Sequence, residues 1–102
     1  MQVRIPFSPE FQIPMLTGKK ICTSRPYAMG NVGDTFRAFG RTFEIVRLCK
    51  KNLSTIAETL YEEEGCKSSE AFIKIWKQIH PYKGFIASWV VTVHYFKLLE
   101  EE

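Results

Sequence analysis

Apolar residues recur at intervals of three and four in two stretches of the second half of the chain, which places them on one face of a helix. The first stretch contains Leu53, Ile56, Ala57, Leu60 and Tyr61. The second contains Phe72, Ile75, Trp76 and Ile79. Gly65 should end the first helix after a run of three glutamates, and Ser68 is placed to cap the second. We therefore expect two amphipathic helices with buried apolar stripes, and Trp76 in the core.

A shorter helix is predicted near the N-terminus, over residues 9–17. Pro9 suits the first helical position, but Pro14 lies inside the pattern, where proline removes a backbone hydrogen bond. The helix should therefore be short or distorted. Gly18 follows it, at a position where the left-handed conformation commonly ends a helix.

Apolar runs bounded by turn residues predict strands elsewhere in the chain. They cover residues 3–7, 21–25, 34–39, 42–50 and 89–98. The third and fourth form a hairpin, for which Gly40-Arg41 supplies a two-residue turn. On the second hairpin strand Phe43, Ile45 and Arg47 should share one face, because side chains alternate along a strand.

The last predicted strand is apolar on both faces, which is typical of a strand at the centre of a sheet. His94 lies in this run. A histidine at such a position is more often a hydrogen-bonded core residue than a site residue. We therefore expect His94 to have a structural role.

Length and composition favour one small globular domain. The 102 residues, of which 45% are hydrophobic, can bury a modest core. We place the domain at residues 1–99 and regard residues 100–102 as an acidic tail. No stretch approaches a membrane helix in length, and the N-terminus lacks the apolar run of a signal peptide. We expect a cytoplasmic protein with no membrane partner.

The net charge of +3 is unevenly distributed along the chain. Residues 1–51 hold nine Lys or Arg and three Asp or Glu, whereas residues 52–102 hold five and eight. A basic half favours a polyanion or phosphate partner, although a mixed charged surface also serves solubility alone.

Metal and disulfide chemistry are not expected. The three cysteines, Cys22, Cys49 and Cys66, are widely spaced and form no C-x-x-C pair. The two histidines are far apart in the sequence and lack ligand spacing. We therefore predict free thiols, no metal site and no cofactor.

A candidate ligand site lies between Gly18 and Pro26. Thr23 and Arg25 share one face of the predicted strand, and Lys20 lies at the junction before it. Two cations and a hydroxyl that converge beside a helix end suit an anionic or polar ligand. Lys19 adds a further cation.

Other residues could extend this site. Tyr27 and Met29 lie in the glycine-containing loop that follows, where they either pack on the core or form a pocket wall. Arg41 is assigned to a turn tip. Arg37 and Arg47 either join a basic strip or cover apolar neighbours.

The pattern Gly18-x-Lys20-x-x-Thr23-x-Arg25 resembles the G-x-K-x-x-[ET]-x-R signature of the ASCH family, a branch of the PUA-like barrels. The order of the later elements also agrees with that family, from a hairpin through two helices to a closing strand. The resemblance implies an α+β fold: a small PUA-like β-barrel of about five to six strands, with two or three helices packed at its side.

Some ASCH proteins are amidohydrolases that convert N4-acetylcytidine to cytidine and acetate with a lysine, a threonine and a glutamate. The resemblance places the catalytic lysine and threonine at Lys20 and Thr23. An ungapped match puts the glutamate position on Gly65 and a one-residue shift puts it on Glu64, so we take Glu64 as the glutamate, with Glu63 as the alternative. A threonine hydroxyl needs a base to take its proton, and a lysine beside a second cation can serve.

Other family members resemble RNA or nucleotide binders, and one branch is linked to RNA cleavage. For this chain, the partner would be single-stranded RNA or a modified nucleoside or nucleotide. Lys19, Arg25 and Arg47 would contact phosphate, and Tyr27 and Met29 would contact a base. We rank binding first and hydrolysis second. A third interpretation is that the motif only anchors the end of the barrel to a carboxylate.

Overall fold

The computed structural model describes residues 1–100. Glu101 and Glu102, in the predicted acidic tail, lie outside the described residues. The strands are β1 (Cys22–Arg25), β2 (Thr35–Ala38), β3 (Arg41–Asn52) and β4 (Val90–Leu98). The α-helices are α1 (Gln12–Leu16), α2 (Leu53–Thr59) and α3 (Ser69–Ile79), and one turn of 3-10 helix at Pro9–Phe11 precedes α1.

The four strands form one antiparallel sheet in the order β1-β4-β3-β2, curled into a half-barrel. The predicted α+β class and the central position of β4 are confirmed. The strand count within residues 1–100 is four instead of five to six. The expected strand over residues 3–7 is wrong: this segment forms no regular strand, and the one parallel bridge, between Gln2 and Thr35, lies just before it. Pro6 has no N–H to donate, so a regular ladder cannot continue through it.

The hairpin turn lies one residue earlier than predicted. Ala38 pairs with Arg41, so the turn residues are Phe39 and Gly40. Both have positive φ, 53° and 76°. This is the requirement of a type I′ turn, whose twist matches that of the flanking strands. Glycine therefore occupies the second turn position, not the first.

A β-bulge between Ile45 and Arg47 overturns the predicted face pattern of β3. Ile45 pairs with Phe96 and Arg47 with Tyr95, so one extra residue, Val46, is inserted. Beyond the bulge the alternation is inverted. Arg47 therefore lies on the face opposite Ile45, with its guanidinium 5.3 Å from the centre of the Tyr95 ring.

Two buried clusters cover the two faces of the sheet. On one face, α2 and α3 pack against β1 and β4; this cluster includes Cys22, Leu53, Phe72, Trp76 and Val93. The other face holds a largely aromatic cluster that includes Phe11, Met15, Phe36, Phe43 and Phe96. The predicted core position of Trp76, which is 3% exposed, is confirmed.

The helix ends differ from the expectation in two places. α2 stops at Thr59, so the three glutamates lie in the following turn, residues 61–65, and not on the helix. Gly65 does have positive φ, 88°, but it ends that turn. Ile79, expected to be buried, is 57% exposed at the end of α3. Ser68 caps α3 as predicted, since its Oγ accepts from the Ala71 N–H at 3.1 Å.

Candidate functional site

Strand β1 is an edge strand of the sheet, and the candidate site lies along its outer edge. The short helix α1 ends at Leu16, and Gly18, with φ 78°, redirects the chain toward β1. Part of the outer edge is covered by the turn over residues 61–65, because the Glu63 carbonyl accepts from the N–H groups of Ile21 and Cys22 at 2.8 and 3.2 Å. This contact brings residues about forty positions apart together.

Lys20 and Glu64 form a buried ion pair at this edge. The Lys20 Nζ lies 3.5 Å from Glu64 Oε1, and both side chains are at most 5% exposed. The same Nζ donates to the carbonyl oxygens of Cys22, at 2.9 Å, and Glu64, at 2.7 Å. The ammonium therefore makes two hydrogen bonds to carbonyl oxygens in addition to the ion pair. The Phe11 ring, whose centre is 4.4 Å from Nζ, covers another side of the ammonium.

The second oxygen of the Glu64 carboxylate is held by Ser24, whose hydroxyl donates to Oε2 at 2.5 Å. The Cys22 thiol lies 3.8 Å from the same oxygen. Glu64 is 4% exposed, whereas Glu63 contributes its backbone carbonyl to the edge of β1. Of the two glutamates considered from the sequence, Glu64 is the one whose carboxylate faces Lys20.

Gly65 allows the buried pair to pack. A Cβ at this position would lie 2.9 Å from the Cβ of Lys20, closer than real Cβ atoms approach. The positive φ of Gly65 is a second reason for glycine here. The backbone of the turn can therefore lie directly against the stem of Lys20.

Thr23 and Arg25 share a face of β1, as the alternation predicted, and they contact each other. The Arg25 Nε donates to Thr23 Oγ1 at 3.2 Å, and the Arg25 Nη2 donates to the Pro6 carbonyl at 2.7 Å. Burial lowers the pKa of Arg25, and the nearby Glu64 charge partly opposes this. Among residues 1–100, no carboxylate lies within ion-pair distance of its guanidinium.

His94 connects Thr23 to the loop after β1. Its Nε2 accepts from the Met29 N–H at 2.9 Å, so the proton of the neutral ring belongs on Nδ1, which then donates to the Thr23 carbonyl at 3.1 Å. Burial lowers the His94 pKa. The expected role as a hydrogen-bonded core histidine is confirmed, and it positions both Thr23 and Met29.

A cavity of about 460 Å³ lies between the outer edge of β1, one face of α3 and the N-terminal segment. Its volume is within the range of small-molecule sites, roughly 300–1,000 Å³. The aromatic side chains in its lining include Phe7, Phe11, Phe72 and Trp76. The polar residues in its lining include Lys20, Thr23, Ser24, Arg25 and Glu64.

The structure brings most of the predicted site residues to this cavity. Tyr27 and Met29 line it as well, and Tyr27 is 68% exposed at its rim. Lys19 does not line it, because its side chain lies beside a second cavity with Glu62 and Glu63. Arg47 is also outside the lining, since the bulge in β3 directs it toward Tyr95.

Sequence reasoning missed several residues of the site. Ser24 lies on the other strand face from Thr23, and only a partner forty residues away makes it important. Phe7 was assigned to a predicted strand and Phe11 to a predicted helix, and neither was expected to line a cavity. The apolar residues around Pro9 could have indicated this role, because an apolar N-terminal segment that does not pair as a strand must pack on another part of the protein.

The thiols near the cavity are poor nucleophiles. Burial and the Glu64 carboxylate raise the pKa of Cys22 far above the ordinary value, and burial raises that of Cys66 to about 11. A thiol is reactive as thiolate, which both environments disfavour. The three cysteines are free.

Comparisons with known proteins come from solved structures. No family sequence model matches the chain, and no curated protein sequence matches it. The ASCH domain of Lactobacillus crispatus JV V101 superposes with a TM-score of 0.66 at 15% identity, covering 95% of this chain and 79% of that one. The protein has an ASCH-like fold. The resemblance inferred from the motif and the order of elements is thereby confirmed at the level of fold.

Two small proteins share the ASCH-like fold over nearly their whole length. The hypothetical protein PH0355 has a TM-score of 0.73 at 16% identity, covering 97% of this chain and 100% of that one. A protein from Pyrococcus furiosus has a TM-score of 0.70 at 18% identity, with 99% and 100% covered. In this ASCH-like fold, the motif residues Lys20, Thr23 and Arg25 all face the cavity.

Within residues 1–100, no helix is both long enough and apolar enough to cross a bilayer. In the same part of the chain, no three His, Cys, Asp or Glu side chains gather into a group that could hold a metal ion.

Proposed function

We propose that this protein binds a nucleotide, either free or as one unit of single-stranded RNA, in the cavity beside β1. The observation that carries the proposal is the combination of aromatic walls with Arg25, for which residues 1–100 supply no carboxylate partner. Flat apolar walls suit a base, which can stack or pack on aromatic rings. Arg25 supplies donors for a phosphate or another anionic group.

Arg25 is the residue on which the anionic part of the ligand would depend. Lys20 is less suited to this role, because its ammonium already donates to two carbonyl oxygens and pairs with the Glu64 carboxylate. Arg25 uses two of its five N–H groups on Thr23 and Pro6, so further donors remain for a ligand. Its place in the cavity lining puts these donors near the aromatic walls.

The test is binding of fluorescein-labelled ribopentanucleotides and of ribonucleoside monophosphates, measured by anisotropy and calorimetry. Wild type should bind, and Arg25→Gln should lose about tenfold in affinity, as expected for one charge-assisted contact. Arg41→Gln is the matched control, since Arg41 lies in the β2–β3 hairpin at the opposite side of the sheet. It should stay within about twofold of wild type. Absence of binding up to millimolar concentrations would overturn the proposal.

A second candidate function is amide hydrolysis of a modified nucleoside through Lys20, Thr23 and Glu64. The supporting observation is that all three side chains line one cavity and that Lys20 contacts Glu64. Two features rank it second. Thr23 Oγ1 bonds to Arg25, not to Lys20, and the Lys20 donors are directed at other acceptors.

Hydrolysis is tested directly with N4-acetylcytidine, followed by its ultraviolet absorbance. Under this candidate function, Thr23→Val abolishes turnover while nucleotide binding survives. Thr55→Val, on the exposed side of α2, serves as control and should retain turnover. No turnover by wild type at high enzyme concentration would exclude this substrate and leave the binding proposal as it stands.

A further inference from the structure

The hydrogen-bond alternation of β1 leaves two residues with their main-chain N–H and C=O groups directed away from the sheet. The Phe96 N–H donates to the Ile21 carbonyl at 2.9 Å, so these two residues stand at the position of a hydrogen-bonded pair, although the Ile21 N–H donates to the Glu63 carbonyl instead of to Phe96. In an antiparallel ladder, such pairs alternate with pairs that exchange no hydrogen bonds. Thr23 and Arg25 therefore point their N–H and C=O groups toward β4. Cys22 and Ser24 point theirs outward.

The outward groups of Cys22 have protein partners, whereas those of Ser24 have none among residues 1–100. At Cys22, the N–H donates to the Glu63 carbonyl and the C=O accepts from Lys20 Nζ. At Ser24, no group of the described chain bonds to either main-chain atom. Ser24 is nevertheless only 6% exposed. Most buried main-chain groups are paired with protein or with water, so these two groups are available to pair with a ligand.

The surroundings of Ser24 indicate that its main-chain N–H and C=O are directed toward the cavity. The turn over residues 61–65 covers the strand edge at Cys22, and the cavity lies beside the next outward position. Ser24 lines the cavity, with aromatic side chains of α3 and of the N-terminal segment around it. Its side chain is held back by the bond from Oγ to Glu64. A donor and an acceptor of the main chain are thus presented side by side to an aromatic slot.

We propose that the main-chain N–H and C=O of Ser24 form the recognition edge for a nucleobase. They pair with a donor and an acceptor on the Watson–Crick edge, while the aromatic walls pack against the base faces. The inference rests on the proposed nucleotide binding and adds which edge of the base is recognised. It requires that the base be unpaired, because a base in a duplex already uses that edge.

The first test is amide hydrogen exchange by NMR, with the four ribonucleoside 5′-monophosphates as probes. The Thr23 amide is bonded within the sheet and reports the general stabilisation that any ligand brings. At saturation the Ser24 amide should slow at least tenfold more than the Thr23 amide, and its proton resonance should move downfield.

The outcomes separate the inference from the function on which it rests. If a monophosphate binds and the Ser24 amide changes no more than the Thr23 amide, the recognition edge is wrong and nucleotide binding stands. If no monophosphate and no pentanucleotide binds, both fall together.

Blocked bases give a second, independent readout. Should uridine monophosphate bind, methylation at N3 should weaken its binding about tenfold or more, since it removes the donor and adds bulk at the paired edge. Methylation at C5 leaves that edge intact and serves as the control. Equal loss with both analogues, or with neither, would contradict recognition through the Watson–Crick edge.

Two variants at the same position separate main chain from side chain. Ser24→Ala removes the hydroxyl and keeps the N–H, so its effect measures the bond to Glu64. Ser24→Pro removes the N–H as well, at an outward position of an edge strand, where proline is tolerated. Affinity should fall about tenfold from Ser24→Ala to Ser24→Pro. Equal affinities in two folded variants would count against the proposal.

Discussion

Two lysine–glutamate pairs of nearly equal length lie at opposite extremes of exposure. Lys20 and Glu64 are 3.5 Å apart and at most 5% exposed, whereas Lys97 and Glu44 are 3.7 Å apart with exposures of 60% and 31%. Judged by distance alone, the two pairs would contribute equally to stability. Solvation separates them, because water competes with the second pair and is excluded from the first.

The surroundings of the two pairs differ as much as their exposure. The Lys20 ammonium also has two carbonyl acceptors and an aromatic ring, and the Glu64 carboxylate has a serine hydroxyl and a thiol beside it. A buried pair needs such partners to offset the desolvation of both ions. The comparison therefore indicates that Lys20 and Glu64 depend on each other, whereas Lys97 and Glu44 are nearly independent.

The largest predicted effect comes from removing one carboxylate of each pair. Glu64→Ala leaves the Lys20 charge buried without its counterion, which typically costs about 3–5 kcal/mol of unfolding free energy. Glu44→Ala removes a surface partner and should cost about 1 kcal/mol or less. Urea unfolding followed by circular dichroism measures both changes. Equal costs would contradict the comparison.

The double variant Lys20→Met/Glu64→Leu sharpens this prediction. Replacing both ions with apolar side chains removes the uncompensated charge, so part of the stability lost in Glu64→Ala should return. A double variant less stable than Glu64→Ala would mean that Lys20 stabilises the fold mainly through its bonds to the carbonyl oxygens of Cys22 and Glu64.

The backbone that carries the buried pair gives the next largest effect. In Gly65→Ala the new Cβ would lie 2.9 Å from Lys20 Cβ, at a residue with φ 88°. Strain and the clash together should cost about 2–4 kcal/mol. In Gly18→Ala the φ is a similar 78° with nothing within 4 Å of the new atom, so only the strain of about 1–2 kcal/mol applies. Equal costs in thermal or urea unfolding would show that the packing against Lys20 contributes little.

The sequence predicted what depends on short-range pattern. The amphipathic spacing and the capping residue Ser68 were sufficient to predict α3. The apolar character of both faces of β4 was sufficient to predict its central position in the sheet. The alternation in β1 placed Thr23 and Arg25 on one face, where they bond to each other. These features need only periodicity and capping, which are local properties of the chain.

The remaining features depend on contacts between distant residues or on one inserted residue. The bulge at Val46 inverts the alternation in β3 without a glycine or proline to indicate it, so the placement of Arg47 could not be foreseen. The bond between Ser24 and Glu64 spans forty positions. The end of α2 at Thr59 follows from docking of the next turn on β1, since Glu63 supplies its carbonyl to that strand.

The smallest predicted effect concerns the imidazole of His94, which is kept neutral because it is buried away from water. Burial lowers the pKa of His94 in the folded chain below its ordinary value of about 6.5, and the Met29 N–H directed at Nε2 leaves no room for a second ring proton. The unfolded chain therefore binds this proton first as the pH falls. The contribution of neutral His94 to the unfolding free energy is fully present above about pH 6.5. It is lost as the pH falls from that value to the folded pKa, by at most about 1.4 kcal/mol per pH unit.

The measurement is the unfolding free energy in urea at pH 7.5 and pH 5.5, where most carboxylates remain ionised. Wild type should be less stable at pH 5.5, by about 1 kcal/mol. His94→Gln should lower stability at both pH values and remove most of the difference between them, since its side chain does not titrate. His80→Gln, at the half-buried histidine on the end of α3, is the matched control and should preserve the difference. A pH dependence that survives in His94→Gln would assign it to other groups and leave His94 outside the comparison of buried with exposed polar residues.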